Sequence, residues 1–329
     1  MKILAVDDDP IILELLSQFV EIVGTHKLTT TSSAHEALAL VQSGNQPDFD
    51  CFLFDIQMPR MDGIELTRHI RAMPNYVDTP VLMLTAMSDK RYVDAAFAAG
   101  ATDYVTKPFE VTELSTRLRL VENLVQMRQT HTKKIFAAQS LNNHAQPTAP
   151  AASIELHDPI SIYDVENVIE YPAMENYVRQ LSRGSMFGCA TFAFTIRQIE
   201  EHHAHMSAAE FSFLISDAAE VISDALADHQ FLMAYAGSGT FICVTESGWR
   251  PDMKALMDNI NLSLSRTELF DNSGQPLFVR VSAGEAVRMI WKSEESVLEA
   301  VSAAYISAEE ASAAHNRAMN DLWPVNQHA

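Results

Sequence analysis

Residues 1–125 repeat one pattern: a short apolar run, a residue with chemical function at its end, then a segment with helical spacing. "KILAV" ends in Asp7, Asp8 and Asp9, and "CFLF" ends in Asp55. "VLML" ends in Thr85, and "DYV" is followed by Lys107-Pro108. Continuous apolar runs of this length suit strands covered on both faces. Between them, "PIILELLSQFVEIV" carries Ile12, Leu15, Leu16 and Phe19 at helical spacing, with Pro10 suited to a first turn. "SSAHEALALVQSG" starts on a serine cap and stops at Gly44. "GIELTRHIRAM" and "DKRYVDAAFAAG" complete the alternation. The expected fold of this region is α/β, a doubly wound, five-stranded parallel sheet.

That topology has a chemical consequence. The carboxyl ends of parallel strands share one edge, where ligands gather. Two or three carboxylates, the Thr85 hydroxyl and the Lys107 ammonium would therefore converge in one crevice. Clustered carboxylates repel one another unless a cation sits among them. Hard oxygen donors with room for water suit Mg²⁺. A carboxylate beside Mg²⁺ and a lysine is poised to attack a phosphoryl group, because both cations neutralise the transferred oxygens. Any one of these acids could merely cap a helix or solvate a loop; all of these features at strand ends is a different matter.

The segments "ILAVDDDP", "FDIQMPRMDG", "LTA" and "DYVTKPF" resemble the receiver domain of two-component response regulators, whose fold is flavodoxin-like. The resemblance covers residues 1–125. It implies that Asp55 accepts a phosphoryl group from a sensor histidine kinase or a phosphotransfer protein. It also implies direct Mg²⁺ binding by Asp8, Asp55 and the backbone carbonyl of Gln57, with Asp7 acting through water. Thr85 and Tyr104 would be switch residues, with Lys107 completing the catalytic set. The face carrying "AAFAAGATDYVTKPF" is one through which such domains dimerise.

From Glu110 to about Leu141 a single helical pattern continues, with Leu114, Leu118, Val121 and Val125 on one stripe. That stripe could pack on the first domain or pair with a second chain. Residues 126–153 are read as helical extension and linker, the polar "NNHAQPTAPAAS" being the linker proper. Residues 323–329 are a tail. Residues 154–322 read as an α+β domain with antiparallel strands and helices on one face. Its centre is "FLMAYAGSGTFICVT", two apolar arms around a small tip, which predicts a β-hairpin.

This second region resembles the GGDEF, or diguanylate cyclase, domain. "GSGTF" (Gly237–Phe241) stands where that motif would stand, "VRVSAGEA" resembles the family's later strand, and "EAVSAAYISAEEASAAHNR" resembles its closing helix. Joining two nucleoside triphosphates requires metal-holding carboxylates and basic groups on the phosphates. By the resemblance, the first-strand acids fall on Thr195 and Arg197, the hairpin acids on Gly239 and Thr240, and the helix lysine near Ala308. The inhibitory-site positions fall on Asp228 and Phe231. None of these residues can do the original work, so the expected domain is a degenerate one without cyclase activity. A nucleotide or cyclic di-GMP sensor, or a divergent cyclase, are the alternatives. "EEHHAHM" (200–206) reads either as a solvated loop or as a His/Glu pair able to bind Zn²⁺.

Charge narrows the partners. Residues 1–127 hold 10 basic and 18 acidic residues, 128–153 hold 3 and none, and 154–329 hold 10 and 25, for a net −20. Neither half has the basic stripe that phosphate backbones need, so nucleic-acid binding is not expected. No apolar run reaches the ~18 residues of a membrane span, and the start lacks the longer apolar stretch of a secretory signal. A cytoplasmic location is expected. Cys51, Cys189 and Cys243 stand apart in apolar runs and read as buried thiols. The output expected is contact with a downstream signalling protein, including proteins of cyclic di-GMP pathways. A homodimer through the 110–141 helix or the receiver face would be one route.

Overall fold

The computed structural model describes residues 1–23, 26–43, 48–86, 90–141, 154–163, 165–181, 189–245, 248–267, 269, 275–289 and 294–322. The expected linker segment 142–153 and tail 323–329 lie outside the described residues. The chain divides into two compact units, Met1–Ala149 and Pro150–Ala329.

The first unit is a five-stranded parallel sheet in the order β2-β1-β3-β4-β5, built from β1 (Lys2–Val6), β2 (Lys27–Thr31), β3 (Cys51–Asp55), β4 (Val81–Thr85) and β5 (Asp103–Thr106). Between and after the strands run α1 (Pro10–Val23), α2 (Ala34–Gln42), α3 (Gly63–Arg71), α4 (Lys90–Ala98) and α5 (Val111–Leu141). Alternate strand residues serve opposite faces, as a period of two requires. Leu4, Val6, Phe52, Phe54, Val81 and Met83 pack with Ala34 and Ala37 of α2 and Ile64, Leu66 and Ile70 of α3. Ile3, Ala5, Leu53, Leu82 and Leu84 pack with Leu16, Phe19 and Val20 of α1 and with α5. The α5 partners in that second cluster are Leu114, Leu118, Val121 and Val125, all buried. The helical stripe is thus spent inside its own unit, and those four positions are not available to a second chain.

The order 2-1-3-4-5 reverses direction between β1 and β3, and this fixes where the site lies. The crevice at the carboxyl ends opens where neighbouring connections diverge. Asp7, Asp8, Asp55, Thr85 and Lys107 all stand at or just beyond that edge.

The second unit holds α6 (Tyr171–Leu181), β6 (Ala190–Ile196), α7 (Ile199–His205), α8 (Ala208–Leu226), β7 (Phe231–Tyr235), β8 (Thr240–Thr245), α9 (Met253–Arg266), β9 (Val281–Ala283), β10 (Val287–Arg288) and α10 (Glu294–Leu322). Its sheet runs β10-β6-β8-β7, with β9 also paired to β6, and all of these pairings are antiparallel. The hairpin forms as expected, with Tyr235 opposite Phe241. Ser207 opens α8 with a reciprocal capping box to Glu210.

Two expectations need correction. The helices do not share one face: Phe192, Phe194, Met233, Tyr235, Phe241 and Cys243 pack with α8 and α9, whereas α6 and α10 contact the sheet's strands without joining that cluster. Strands β6, β7 and β8 are buried at every position, so they lack the alternation of a one-sided sheet. The "VRVSAGEA" segment, 279–286, is also not one strand. It breaks after Ala283, where a Cβ on Gly284 would lie 2.6 Å from the Ala308 nitrogen of α10. The Gly284 amide still donates to the Ala193 carbonyl of β6 at 3.0 Å, and regular pairing with β6 resumes at Val287. Among the described residues, no helix is long and apolar enough to cross a membrane.

Candidate functional site

The site of the first unit begins with what each acid at the end of β1 does. Asp9 accepts from the amide of Ile11 at 2.8 Å and so caps α1. Asp7 is fully buried and accepts from the Asp9 amide at 3.0 Å. Asp8 is exposed. Asp55 closes β3 with 5% of its surface exposed. Asp7, Asp8 and Asp55 each present an oxygen within 4.8 Å of the others. Of the three acids that follow β1, two belong to the site and Asp9 belongs to the helix.

Lys107 reaches into this cluster. Its ammonium lies 2.6 Å from Asp7 Oδ2 and 2.8 Å from Asp55 Oδ1. Its amide donates to the Thr85 carbonyl at 2.6 Å, which ties the lysine to the end of β4. Burial pushes the Asp55 carboxyl above its ordinary range; the Lys107 bond and charge pull it back, while Asp7 and Asp8 push it up. Burial pulls Lys107 down, but its bonds to Asp55 and Asp7 outweigh that and hold it above the ordinary lysine value. The ammonium therefore remains a fixed positive charge beside the acids.

Three oxygen donors of negative charge, one of them exposed, fit a hard divalent cation such as Mg²⁺. Gln57 lies two residues beyond Asp55 and is exposed. Thr85 is fully buried at the end of β4. Tyr104, on β5, is half-buried, its ring edge-on to Phe97 at 6.3 Å between centroids.

The loop below Asp55 explains "RMDG". Asp62 caps α3 by accepting from the Glu65 amide at 2.7 Å. A Cβ on Gly63 would lie 2.1 Å from the Asp55 carbonyl oxygen, so only glycine lets α3 start directly beneath the acid. The sequence reading missed Arg71. It donates to the carbonyls of Gly100, Tyr76 and Thr79 at 2.7–3.1 Å and fastens the α3–β4 and α4–β5 loops together. An arginine in the last turn of a helix gives no local sign of such distant partners.

The hairpin tip of the second unit is closed by the chain's own backbone. Gly237, Ser238 and Gly239 all have positive φ, at 92°, 50° and 75°. The Ser238 amide donates to the Leu156 carbonyl at 2.7 Å, and the Gly239 amide donates to the Tyr235 hydroxyl oxygen at 3.0 Å. His157 Nδ1 lies 2.7 Å from Ser238 Oγ. A Cβ on Gly237 would come within 2.2 Å of the His157 carbonyl oxygen. Segment 154–158 is thus a strap across the turn, and Ile154 and Leu156 pack on the core below.

The positions where acids would stand hold other chemistry. Thr195 and Thr240 pair hydroxyl to hydroxyl at 2.9 Å, both buried. Arg197 donates to Ser282 Oγ at 3.0 Å and meets His315 Nε2 at 2.8 Å. Ala308 is fully buried beside Gly284. Phe231 is buried in the core and Asp228 is exposed. The stretch 200–206 is no loop: it forms α7 and the start of its exit. His203 bonds the Ile154 carbonyl at 2.7 Å, and His205 bonds the Glu201 carbonyl at 2.7 Å. Among the described residues, the acids around Asp55 are the one group of three or more metal-capable side chains this close together.

Comparison with known proteins bears on the first unit. Residues 3–119 match the response regulator receiver domain family. The chain is 40% identical over 114 residues to the two-component response regulator ARR12 of Arabidopsis thaliana, covering 35% of this chain and 18% of that one. It is 33% identical over 136 residues to the transcriptional regulatory protein YvrH of Bacillus subtilis, covering 41% and 55%. Among solved structures, the chemotaxis response regulator CheY4 of Vibrio cholerae is 34% identical, covering 36% of this chain and 97% of that one, with a TM-score of 0.34. The chain spans from about a fifth to about half of the length of these two curated relatives. The first unit carries a receiver domain of the two-component response regulators, with the five-stranded flavodoxin-like fold of that class.

Proposed function

We propose that the chain is a phosphorylation-dependent response regulator that accepts a phosphoryl group on Asp55. The donor is a sensor histidine kinase or a phosphotransfer protein. The observation that carries this reading is the Lys107 ammonium held 2.8 Å from Asp55 and 2.6 Å from Asp7, with Asp8 alongside. An Asp55 oxygen forms the new P–O bond while the donor's P–N bond breaks and its electron pair returns to the imidazole. Lys107 offsets the charge on the transferred oxygens. Mg²⁺, when bound by Asp8 and Asp55 with the Gln57 carbonyl and Asp7 behind, supplies further neutralisation of that charge. Thr85 and Tyr104 then answer the new charge, biasing a two-state arrangement of loop and helix.

The second unit is read as a GGDEF-like domain without cyclase chemistry that signals by protein contact. Three things support this: the hairpin, the 281–288 strands and the closing helix follow in the order the resemblance implies; no carboxylate stands at Thr195, Arg197, Gly239 or Thr240; and the strap occupies the tip amide of Ser238. The partner is a downstream signalling protein, and the setting is the cytoplasm.

The full chain should gain one phosphoryl group from acetyl phosphate with Mg²⁺, read by intact mass, and Asp55→Asn should gain none. Equal gain in both proteins would sink the assignment. A pull-down from lysate, with and without the phosphodonor, should retain a partner that differs between the two states.

A further inference from the structure

At the end of the second sheet remote from the hairpin tip there is a cavity of about 280 Å³, lined in part by Trp249, Arg250, Pro251, Ala190 and Arg288. The strand register places it. Arg288 on β10 pairs with Ala190 at the start of β6, and Trp249 follows the end of β8. The Trp249 ring is held rigidly, stacked on His229 at 3.7 Å and edge-on to Phe192 at 6.1 Å. Two guanidinium groups bordering one cavity are conspicuous in a half that holds 25 acids against 10 bases. Among the described residues neither Arg250 nor Arg288 has a carboxylate partner within ion-pair distance.

We propose that this cavity binds a small ring-bearing anion: a planar ring against the Trp249 side and a phosphate or carboxylate between Arg250 and Arg288. Guanidinium groups favour such anions because their fixed donors match two oxygens at once. An indole supplies a flat apolar wall at little entropic cost. The volume lies at the small end for ligand pockets, so a single small molecule fits and a folded partner does not. The inference does not depend on how the hairpin tip is read.

Calorimetric titration of the full chain with adenosine monophosphate, benzoate and inorganic phosphate tests it. A dissociation constant below about 1 mM for at least one ring-bearing anion, with inorganic phosphate weaker by about tenfold, is expected. Which of the two binds identifies phosphate or carboxylate as the anionic group. Arg288→Glu and Arg250→Glu, both at exposed positions, should each weaken binding by about tenfold or more while leaving the unfolding midpoint close to wild type. No binding of either ring-bearing anion, binding of inorganic phosphate as tight as theirs, or unchanged affinity in both folded variants would each overturn the proposal.

Discussion

Both units bring polar side chains together at one end of a sheet, and they settle the electrostatics in opposite ways. In the first, Asp7 and Asp55 are buried with a lysine between them. In the second, the corresponding polar pair is Thr195 with Thr240, two neutral hydroxyls 2.9 Å apart, and Thr240 also bonds the Tyr305 hydroxyl. Carboxylates held close together in low dielectric need a cation, whether a lysine or a metal. Neutral hydroxyls need hydrogen-bond partners but no cation. The first arrangement keeps charge in reserve for a reaction, and the second spends its polar groups on cohesion.

Lys107→Ala presses hardest on that contrast. It should slow phosphoryl uptake by roughly a hundredfold, since a preorganised charge beside the transferred oxygens is lost. It should also destabilise the metal-free protein by about 3 kcal/mol, because Asp7 and Asp55 would face each other without a cation. Urea unfolding with and without Mg²⁺ checks this, and Mg²⁺ should recover part of the loss. If stability is unchanged, the lysine is not balancing the acids.

Gly237→Ala addresses the second unit. Its positive φ and the nearby His157 carbonyl oxygen predict a loss of about 2 to 3 kcal/mol. Gly248→Ala has nearly the same φ, 97°, but no atom within 4 Å of the new Cβ, so only about 1 kcal/mol is expected. Equal costs would mean that the strap does not press on the tip. Phosphoryl uptake at Asp55 should not change in either variant.

Smaller still is the effect expected on thiol chemistry. Burial pushes the Cys51 thiol up to about 12 and raises that of Cys243 as well. Because the thiolate is the reactive form, both should resist iodoacetamide at pH 8 until the protein is unfolded. Labelling of the folded chain at either position, mapped by peptide mass, would show that burial is broken there.

The last comparison predicts no gain at all. Gly239→Asp combined with Thr240→Glu rewrites the tip with acids, yet incubation with GTP and Mg²⁺ should yield no cyclic dinucleotide. Gly239 has φ 75° and a Cβ there would meet Ile199 at 2.8 Å, while Thr240 is fully buried. Arg197 would still stand where a metal ligand is needed. Product formation by this variant would show that the acids alone separate the two kinds of domain.

The first site was readable in the sequence because its chemistry sits at strand ends, and a parallel sheet collects those ends on one edge whatever the loops do. Only the capping role of Asp9 is not legible there, since capping depends on local turn geometry. The second unit was harder. Its strands are apolar at nearly every position, which hides how many faces are covered, so helices on one face were expected where α6 and α10 also contact the strands outside the α8–α9 cluster. The 281–288 segment looks like one strand until Gly284 meets α10. The strap was invisible because 154–158 has no periodicity, and its contacts with Ser238 and His203 span 81 and 49 residues.

That strap also sets where the second unit can be cut. Residues 154–158 serve as a cover for the hairpin: Ile154 gives its carbonyl to His203, and Leu156 gives its own to Ser238. A fragment starting at Tyr163 would leave the turn's amide bare and uncover the apolar residues beneath Ile154, Leu156, Ile160 and Ile162. Such a fragment should be prone to aggregation, and one starting at or before Ile154 should stay in solution. Anyone producing the second unit alone should therefore place the cut among residues 142–153, ahead of the cover it needs.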